Sequence, residues 1–370
     1  MKGIFFTEGL HLDEFETLGI EKKVIAQVKS LSNICEMIQI NVPLNKNNKI
    51  DQIKFLFPFV KSIREKNREI LLDNVSEDIK FIYIRKPSLT VRFYELLREI
   101  KRKKEDVIII MEIPTFPFHF EYRGLAKLMA LKSIACEKKL KNVVDYIVTY
   151  SDDDSIWGIP CLKTSNCVNY VDIAPRSEHY KPIKKTLRLT CVANYMYWHG
   201  VDRLIKGVLK YKGDWQIVLN IVGGGKELEH LKQLANNSDN IVFHGSQYGQ
   251  ELQNIFDKTD IAVDALGRHR SGVYYNSSLK GKEYVARGIP VISAVKTELD
   301  YLDDFKYYLP LPADDSDIDI ENLIKFYKSI YQNSNPNLIT SNIRSITEKN
   351  FDYKYGFENV IRAVVDRGVV

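Results

Sequence analysis

The sequence has few cysteines and no long hydrophobic run, and both absences restrict where the protein can work. Its five cysteines are odd in number and form no C-x-x-C pair, which favours reduced thiols in a cytosol over a disulfide framework. They are Cys35, Cys136, Cys161, Cys167 and Cys191. No apolar stretch approaches the ~20 residues of a membrane-spanning helix. The N-terminal residues MKGIFFTEGLHLDEFE turn acidic after a short apolar run, which argues against a signal peptide. We therefore expect a cytoplasmic protein.

A large excess of charge of one sign is also lacking. The chain has 53 basic and 48 acidic residues, with 28 against 25 in residues 1–180 and 25 against 23 in the remainder. This even distribution contains no basic tail, so we expect no nucleic-acid partner. A hydrophobic content of 45% is typical of globular proteins, and 370 residues are enough for about two domains.

Short apolar segments alternate with amphipathic helical segments along the whole chain. The predicted strands are 3–7, 33–41, 106–112, 144–149, 187–193, 215–222, 241–243 and 261–263. This alternation is typical of doubly wound α/β domains, in which ligands bind beyond the carboxyl ends of parallel strands. The polar, proline-bearing segment HYKPIKK predicts a linker, and hence an N-terminal domain of residues 1–183 and a C-terminal domain of residues 184–350.

The stretch YYNSSLKGKEYVARGIPVISA, residues 274–294, predicts a polar loop, a helix and a buried strand. Ser277 and Ser278 offer N-cap oxygens at the start of a helix whose unpaired N–H groups can hold phosphate. Lys280 adds a positive charge there, and Glu283 places a carboxylate one turn later. That carboxylate would repel phosphate unless it held neutral hydroxyls, and a ribose has two. The stretch predicts a nucleotide site; the alternative is an ordinary amphipathic helix before a buried strand.

Other loops of the second half follow predicted strands and are expected at the same edge of its sheet. Gly224 lies in a run of three glycines, which allows close ligand approach. Arg268 and Arg270 lie in a glycine-flanked loop, where either could bind a diphosphate through two hydrogen bonds. The sequence does not choose between the two arginines, and each could instead be a solvated loop residue. His199 directly precedes a predicted helix.

The loop after the apolar segment 106–112 is expected at the ligand edge of the first sheet. It reads EIPTFPFHFEYRG, with two stiffening prolines and aromatic rings on which sugars can stack. Its polar residues are Glu112, Thr115, His119 and Glu121. His119 could also be an ordinary loop histidine.

An acidic run, Asp152 to Asp154, follows the predicted strand 144–149. Such a run can hold a metal ion and a diphosphate. We favour the alternative that serine and aspartate cap the start of a following helix.

Four segments resemble glycosyltransferases of family four with the GT-B fold, especially bacterial polysaccharide enzymes. LKGKEYVARGIP (279–290) resembles their LKTREYLARGIP helix, and EIPTFPF (112–118) resembles their EIPTYPY segment. WHGVDRLI (198–205) resembles the start of a helix that points at the donor. GIEKKVIAQVKSL (19–31) resembles their first helix, where a glycine, here Gly19, lets the backbone approach the diphosphate or the acceptor.

The resemblance implies a GT-B protein with two Rossmann-like domains facing a cleft. The N-terminal domain would bind a saccharide acceptor through Glu112, Thr115 and Glu121, with His119 near the transferred sugar. The C-terminal domain would bind the nucleotide sugar, and a helix in residues 351–370 would return to the first domain. It also implies retention of the anomeric configuration, no metal and no cofactor besides the donor. The predicted donor-binding residues are Glu283 at the ribose, Ser277, Ser278, Leu279, Gly224, His199 and Gly19. The predicted catalytic residues are Lys280, Arg268, Arg270 and His119.

The sequence departs from the family pattern at two positions. Tyr275 stands where many members have an earlier glutamate, and His199 stands where many have a lysine. A phosphate contact by His199 would therefore be weaker and would depend on pH.

The expected function is hexosyl transfer from a nucleotide sugar to a lipid-linked saccharide acceptor in capsule or exopolysaccharide assembly. An aromatic and basic segment, 54–70, and a basic cluster, 98–104, suggest peripheral contact with the inner membrane surface, or else a buried segment and a solvated helix end. Two other functions stay open: a nucleotide-sugar epimerase on the same fold, and a non-catalytic partner of another glycosyltransferase, which the Tyr275 departure suggests.

Overall fold

The computed structural model describes residues 2–10, 19–44, 62–118, 134 and 136–365. The chain forms two compact units. Unit 1 comprises residues 1–165 and 356–370, and unit 2 comprises residues 166–355. Each unit contains a mainly parallel β-sheet with helices between its strands, which confirms the predicted α/β class with two Rossmann-like sheets.

Unit 1 is built on a sheet with the strand order β2-β1-β3-β4-β5-β7-β6. Its strands are β1 (Lys2–Glu8), β2 (Glu36–Val42), β3 (Ile79–Arg85), β4 (Ile108–Ile113), β5 (Tyr146–Thr149), β6 (Ser155–Ile156) and β7 (Ile159–Lys163). Its helices before β4 are α1 (Gly19–Ser32), α2 (Ile63–Arg68), α3 (Ile70–Asp73) and α4 (Val91–Lys103). The pairings are parallel except that between β6 and β7.

Helix α4 shows how sequence pattern and packing agree in unit 1. Thr90 caps it by accepting a hydrogen bond from the N–H of Phe93 (3.1 Å). Phe93, Leu96, Leu97 and Ile100 recur at helical spacing and are buried against the sheet. This packing fixes the helix beside β3 and β4, the strands whose carboxyl ends lead to the predicted acceptor residues.

The acidic run at residues 152–154 leads into a hairpin, so the predicted helix start is wrong. Trp157 and Gly158 both have positive φ (53° and 80°), which suits a two-residue turn between β6 and β7. The Ser151 hydroxyl binds Asp153, and Asp154 forms an ion pair with Lys163 at 2.8 Å. In this part of the sequence, the Trp157–Gly158 pair was the signal for a hairpin turn.

The segment 54–70 and the basic cluster 98–104 both contribute internal contacts to unit 1. Residues 54–61 lie outside the described part of the chain, and the rest of the first segment forms α2, where Arg68 is buried and bound to Glu8. In the second segment, Lys101 binds Asp145 at 2.8 Å. Within the described residues, no helix has both the length and the apolar composition needed to cross a bilayer.

Unit 2 is built on a parallel sheet with the strand order β10-β9-β8-β11-β12-β13. Its strands are β8 (Thr186–Val192), β9 (Gln216–Val222), β10 (Ile241–Gly245), β11 (Ile261–Val263), β12 (Val291–Ser293) and β13 (Tyr308–Pro310). Its helices are α5 (Val201–Lys210), α6 (Leu228–Ala235), α7 (Gly249–Phe256), α8 (Leu279–Ala286), α9 (Ile320–Tyr331), α10 (Pro336–Phe351) and α11 (Tyr353–Gly356), the last of which ends at the division. Strand β11 is fully buried in the middle of the sheet, so loops after it lie above the sheet centre.

Unit 2 begins at Asn166, before the boundary at 183/184 that the linker composition predicted. The N–H of Asn166 donates a hydrogen bond to Ser277 Oγ (2.7 Å), and the buried Arg176 donates one to the carbonyl of Thr259 (3.1 Å). These long-range contacts attach residues 166–183 to unit 2. The segment is polar because it is exposed. Linkers and exposed loops are both polar, so composition did not distinguish between them.

The end of the chain belongs to unit 1 from Gly356 onward, whereas residues 351–355 stay in unit 2. Phe357 packs edge-on against Tyr83 with ring centres 5.8 Å apart, and Val360 is fully buried. Helix α12 (Glu358–Val364) follows. Its apolar side chains thus complete the core of unit 1.

Candidate functional site

Helix α8 of unit 2 begins on a serine cap, and its first turn is partly buried. Ser278 Oγ accepts a hydrogen bond from the N–H of Gly281 (3.3 Å) and donates one to Asp264 Oδ1 (2.7 Å). Gly288 follows the helix in a left-handed conformation, with φ of 73°. The helix and the strand predicted within residues 274–294 are both present.

The two neighbours of Ser278 are held by the rest of unit 2. Ser277 is buried; its hydroxyl accepts a hydrogen bond from the Asn166 N–H (2.7 Å), and its carbonyl accepts one from the Asn166 amide. Leu279 packs its side chain against the hydrophobic core. Ser277 therefore anchors the loop, which differs from the direct donor contact predicted for it, and Leu279 has only its first-turn N–H to offer a ligand.

Lys280 and Asp264 form a close pair beneath the first turn of α8. Lys280 Nζ lies 3.6 Å from Asp264 Oδ1, and this nitrogen is buried without a hydrogen bond to any described residue. Asp264 directly follows β11 and is only 1% exposed. Because buried ammonium groups normally use their donors, Lys280 has hydrogen-bonding capacity for a ligand. Asp264 was missed at the sequence level, although a lone acid directly after a buried strand is a usable signal.

The structure separates the two loop arginines. Arg270 Nη1 and Nη2 bind Asp202 at 2.7 and 3.0 Å, and Nε binds Asp315 at 2.6 Å. These hydrogen bonds raise the pKa of Arg270. Arg268 is only 6% exposed, and its guanidinium lies 5.9 Å from the ring centre of Trp198. Arg270 is thus committed to two internal carboxylates, a structural role that differs from the predicted diphosphate contact.

Two glycines bring the loop before α5 next to the loop after β11. Gly200 has φ of 65°, and a Cβ there would lie 2.5 Å from the backbone nitrogen of Gly267. The carbonyl of His199 accepts a hydrogen bond from the N–H of Leu266 (2.9 Å). Only glycine allows this approach, which places His199 beside Arg268.

The imidazole of His199 is held in one neutral form. Its Nδ1 accepts a hydrogen bond from the N–H of Met196 (2.9 Å), so Nε2 carries the proton. Burial, together with the charges of Lys280 and Arg268, lowers the pKa of His199 to about 3. In the free protein the imidazole is therefore neutral near neutral pH, and a weaker, pH-dependent phosphate contact by His199 stays a prediction. The two cations Lys280 and Arg268, together with the neutral His199, are called the cationic cluster below.

The three glycines after β9 have different roles. Gly223 and Gly225 have φ of 118° and 123°, and a Cβ on either would lie within 2.2 Å of backbone atoms. Gly224 has no such restriction: a Cβ there would be 3.9 Å from Ser246 Oγ, the nearest described atom. The fold requires the outer two, whereas Gly224 leaves space open to a ligand.

Glu283 lies in the middle of α8 and is half-buried. Burial lowers the pKa of Arg287, and the Glu283 carboxylate opposes that shift. Burial also raises the pKa of Tyr353, with Cys167 and Glu283 adding to the effect. The Glu283 carboxylate thus lies within electrostatic range of both Arg287 and Tyr353.

Glu112 of unit 1 is enclosed in a hydrogen-bond network. Its Oε1 accepts from Lys23 (3.1 Å) and Arg85 (2.6 Å), and its Oε2 accepts from Gln27 (3.1 Å) and Tyr83 (2.8 Å). Burial alone would raise the pKa of Glu112, but the two cations and the hydroxyl outweigh it and lower the pKa to about 2. With no exposed surface and four donors, the carboxylate does not contact an acceptor, contrary to the prediction. It joins α1 to β3 and β4.

The other predicted residues of unit 1 are only partly described. Thr115 is half-buried directly after β4, at the carboxyl end of the sheet. His119 and Glu121 lie outside the described residues. Gly19 is the first residue of α1, so its backbone is at the helix N-terminus as expected.

No group of three or more histidine, cysteine, aspartate or glutamate side chains that could hold a metal ion occurs in the described part of the chain. All five cysteines are free thiols. In unit 2, Asp264 of the loop after β11 contacts the start of α8, and Leu266 of the same loop contacts His199 of the loop after β8. This arrangement can hold a doubly or triply charged anion.

Comparison with solved structures identifies the architecture. Sucrose-phosphate synthase from Thermosynechococcus elongatus superposes over 99% of this chain and 98% of its own, with a TM-score of 0.64 at 13% identity. The lipopolysaccharide outer core galactosyltransferase WaaB superposes over 99% of this chain and 100% of its own, with a TM-score of 0.57 at 15% identity. The fold is GT-B. HepE from Anabaena, solved with UDP-glucose, superposes over 98% of this chain and 99% of its own, with a TM-score of 0.61 at 9% identity.

Sequence comparison gives a weaker relationship. No known family description matches the chain. An uncharacterized glycosyltransferase of Methanocaldococcus jannaschii is 27% identical over 171 residues, which is 44% of this chain and 39% of that protein. The matched segment thus spans well under half of the relative's length.

Proposed function

We propose that the protein is a glycosyltransferase that moves a hexosyl group from a nucleotide sugar to a lipid-linked saccharide. The observation that carries this proposal is the cationic cluster at the start of α8. Lys280 has unused donors, Arg268 is buried, the charges of both act on His199, and His199 presents an Nε2–H. These groups and the helix N-terminus suit the diphosphate of a nucleotide donor.

The rest of the donor lies along α8 in this proposal. Glu283 follows the first turn and accepts hydrogen bonds from the two ribose hydroxyls. Gly224 lets the nucleotide approach the backbone closely, since its Cβ position is open. The GT-B fold and the sequence match to a glycosyltransferase support this assignment.

The reaction breaks the bond between the anomeric carbon and the diphosphate and forms a bond from that carbon to the acceptor oxygen. The transition state combines an oxocarbenium-like sugar with a leaving diphosphate. Lys280 and Arg268 stabilise the charge on the diphosphate. The acceptor proton passes to the departing phosphate oxygen on the same face, which gives retention without a metal or a cofactor.

The biological setting belongs to the same proposal. The segments that resemble bacterial polysaccharide enzymes support a role in surface polysaccharide assembly at the cytoplasmic face of the inner membrane. The name of WaaB describes a transferase of the lipopolysaccharide core, and HepE was solved with UDP-glucose, so sugar nucleotides and surface glycans are the first substrates to test.

A thermal-shift screen against UDP, GDP, dTDP and their hexose conjugates tests donor binding. A ligand at 100 times its dissociation constant adds about 2.7 kcal/mol to the free energy of unfolding. Mass spectrometry of a membrane-lipid extract incubated with the binding sugar nucleotide then tests transfer. Failure of every sugar nucleotide to shift the melting temperature contradicts the proposal.

The transfer assay also separates the two other functions. A donor that is converted to another sugar nucleotide without any acceptor indicates an epimerase. Donor binding without transfer, together with stabilisation of a companion transferase, indicates a non-catalytic partner.

A further inference from the structure

A carboxylate lies within the cationic cluster, and the proposed donor chemistry does not use it. Asp264 follows β11 and is 99% buried, and its Oδ1 is the nearest acidic oxygen to Lys280 Nζ, at 3.6 Å. A negative charge beneath an anion site opposes the binding of a diphosphate, so its presence needs a physical explanation.

Asp264 is fixed in place by several contacts. Its N–H donates to the carbonyl of Ile292 (2.9 Å), and its Oδ1 accepts from Ser278 Oγ (2.7 Å). The absent Cβ of Gly281 would lie 3.3 Å from Oδ2, so α8 packs directly on the carboxylate. The aspartate therefore cannot follow a ligand.

Lys280 is held differently. Its contact with Asp264 is a charge interaction without a hydrogen bond, at the end of a flexible side chain that is 20% exposed. A diphosphate that offers short, charge-assisted hydrogen bonds can compete for this ammonium. The two charges thus form a pair with one fixed member and one movable member.

We propose that Asp264 is a positioning residue, the counter-ion that holds Lys280 in the free protein and competes with the diphosphate for it. The inference rests on the proposed function, because it concerns the same diphosphate. Asp264 keeps the ammonium at the start of α8 before the donor arrives. It also weakens binding of the nucleoside diphosphate product, because a fixed negative charge remains beneath it.

Calorimetric titration of Asp264→Asn with UDP, GDP and inorganic pyrophosphate tests the proposal. Asparagine keeps the size of the side chain and an oxygen for Ser278. Removing one negative charge within several ångströms of the diphosphate should tighten binding about tenfold. The double variant Asp264→Asn with Lys280→Met should lose this gain, because the gain depends on the freed ammonium.

Asp260→Asn is the matched control. Asp260 is a fully buried aspartate just before the same strand, where it binds Arg188 (2.7 Å). Its replacement should destabilise unit 2 and leave diphosphate affinity unchanged. Asp264→Ser repeats the test if the asparagine variant does not fold.

The outcomes separate the two proposals. Wild-type protein that binds UDP or GDP, with equal or weaker binding by a folded Asp264 variant, overturns the counter-ion role and leaves the donor site intact. Wild-type protein that binds no nucleoside diphosphate overturns both. Tighter binding by Asp264→Asn that disappears in the double variant supports the counter-ion role. Replacing a purely structural aspartate would not produce this result.

Discussion

At the scale of single residues, the predicted site residues differ in whether the protein itself uses their hydrogen-bonding groups. Arg270, Ser277 and Glu112 spend theirs on internal partners. Lys280 does not, since its buried nitrogen makes no hydrogen bond with the described residues. Residue type and position in the sequence do not distinguish Lys280 from the other three residues. The difference appears only when partners from distant segments are in place.

Glu283→Gln tests the ribose contact. The variant should bind the sugar nucleotide about 1.5 to 3 kcal/mol more weakly, the usual range for a hydrogen bond to a charged group. Titration calorimetry with the donor found by thermal shift gives the value. Glu251→Gln, on the exposed surface of α7, makes the same chemical change and should have no effect. Unchanged affinity in a folded Glu283→Gln protein would rule out the ribose role.

Lys280→Ala tests the phosphate contact. Transfer should slow about 100-fold, as expected for loss of one preorganised charge-stabilising group, while the fold survives because Ser278 still binds Asp264. Initial rates at saturating donor and thermal melts measure the two effects. Lys232→Ala removes an exposed lysine on α6 and serves as the control. Wild-type rates in Lys280→Ala would count against the assignment.

At the scale of elements, short turns decide how closely a ligand can approach the sheet of unit 2. The turn after β9 needs glycine at its two outer positions for backbone reasons, and the middle one is free of that restriction. The contact of Gly200 with Gly267 joins the turns after β8 and β11. The site is therefore assembled from turns whose strands are neighbours in the sheet.

Gly223→Ala and Gly224→Ala should separate folding from binding at the turn after β9. Alanine at 223 places a Cβ 2.0 Å from the Ala193 carbonyl oxygen and requires a positive φ, so the variant should lose more than about 1 kcal/mol of stability. Alanine at 224 should melt near the wild type and bind nucleoside diphosphate more weakly. Melting curves and calorimetry measure both properties. Normal binding by Gly224→Ala would remove that glycine from the proposed site.

At the scale of the whole molecule, each unit contains a buried titratable group whose protonation reduces the stability of the folded protein. The two groups act in different acidic pH ranges. In unit 2, His199 has its pKa lowered from 6.5 to about 3; in unit 1, Glu112 has its pKa lowered from 4.5 to about 2. Both values are below those of the unfolded chain, so the unfolded state binds protons first as the pH falls. Stability is therefore lost below pH 6.5 through His199 and below about pH 4.5 through Glu112.

The variant His199→Gln should reduce this acid sensitivity. Between pH 6.5 and 5.5, the wild type should lose about 1 kcal/mol that the variant keeps, because the proton that the unfolded wild-type histidine takes up over this range is not taken up by glutamine. Urea unfolding at the two pH values, with fluorescence of the tryptophans, gives the difference. His230→Gln, which replaces an exposed histidine, is the control and should behave as the wild type does. An equal loss in His199→Gln would contradict the lowered pKa.

Much of unit 2 could be predicted from the sequence, because its signals are local. The alternation of apolar runs predicted strands close to β8, β9 and β11, and Ser278 predicted the start of α8. Capping, helix periodicity and strand burial depend on neighbours a few residues away. The unit boundary at Asn166 could not be predicted in this way, since it depends on contacts such as that of Arg176 with Thr259, 83 residues apart.

The sequence alone determined the fold class, the helix of the candidate site and the choice of Lys280 and Glu283. Tertiary structure alone decided that Arg270 is bound by Asp202, that the charge of Arg268 acts on His199, that His199 is neutral, and that Asp264 faces Lys280. The physical reason is that charge and hydrogen-bond satisfaction are properties of pairs. A residue's partner across a sheet is set by chain crossings that no local pattern records.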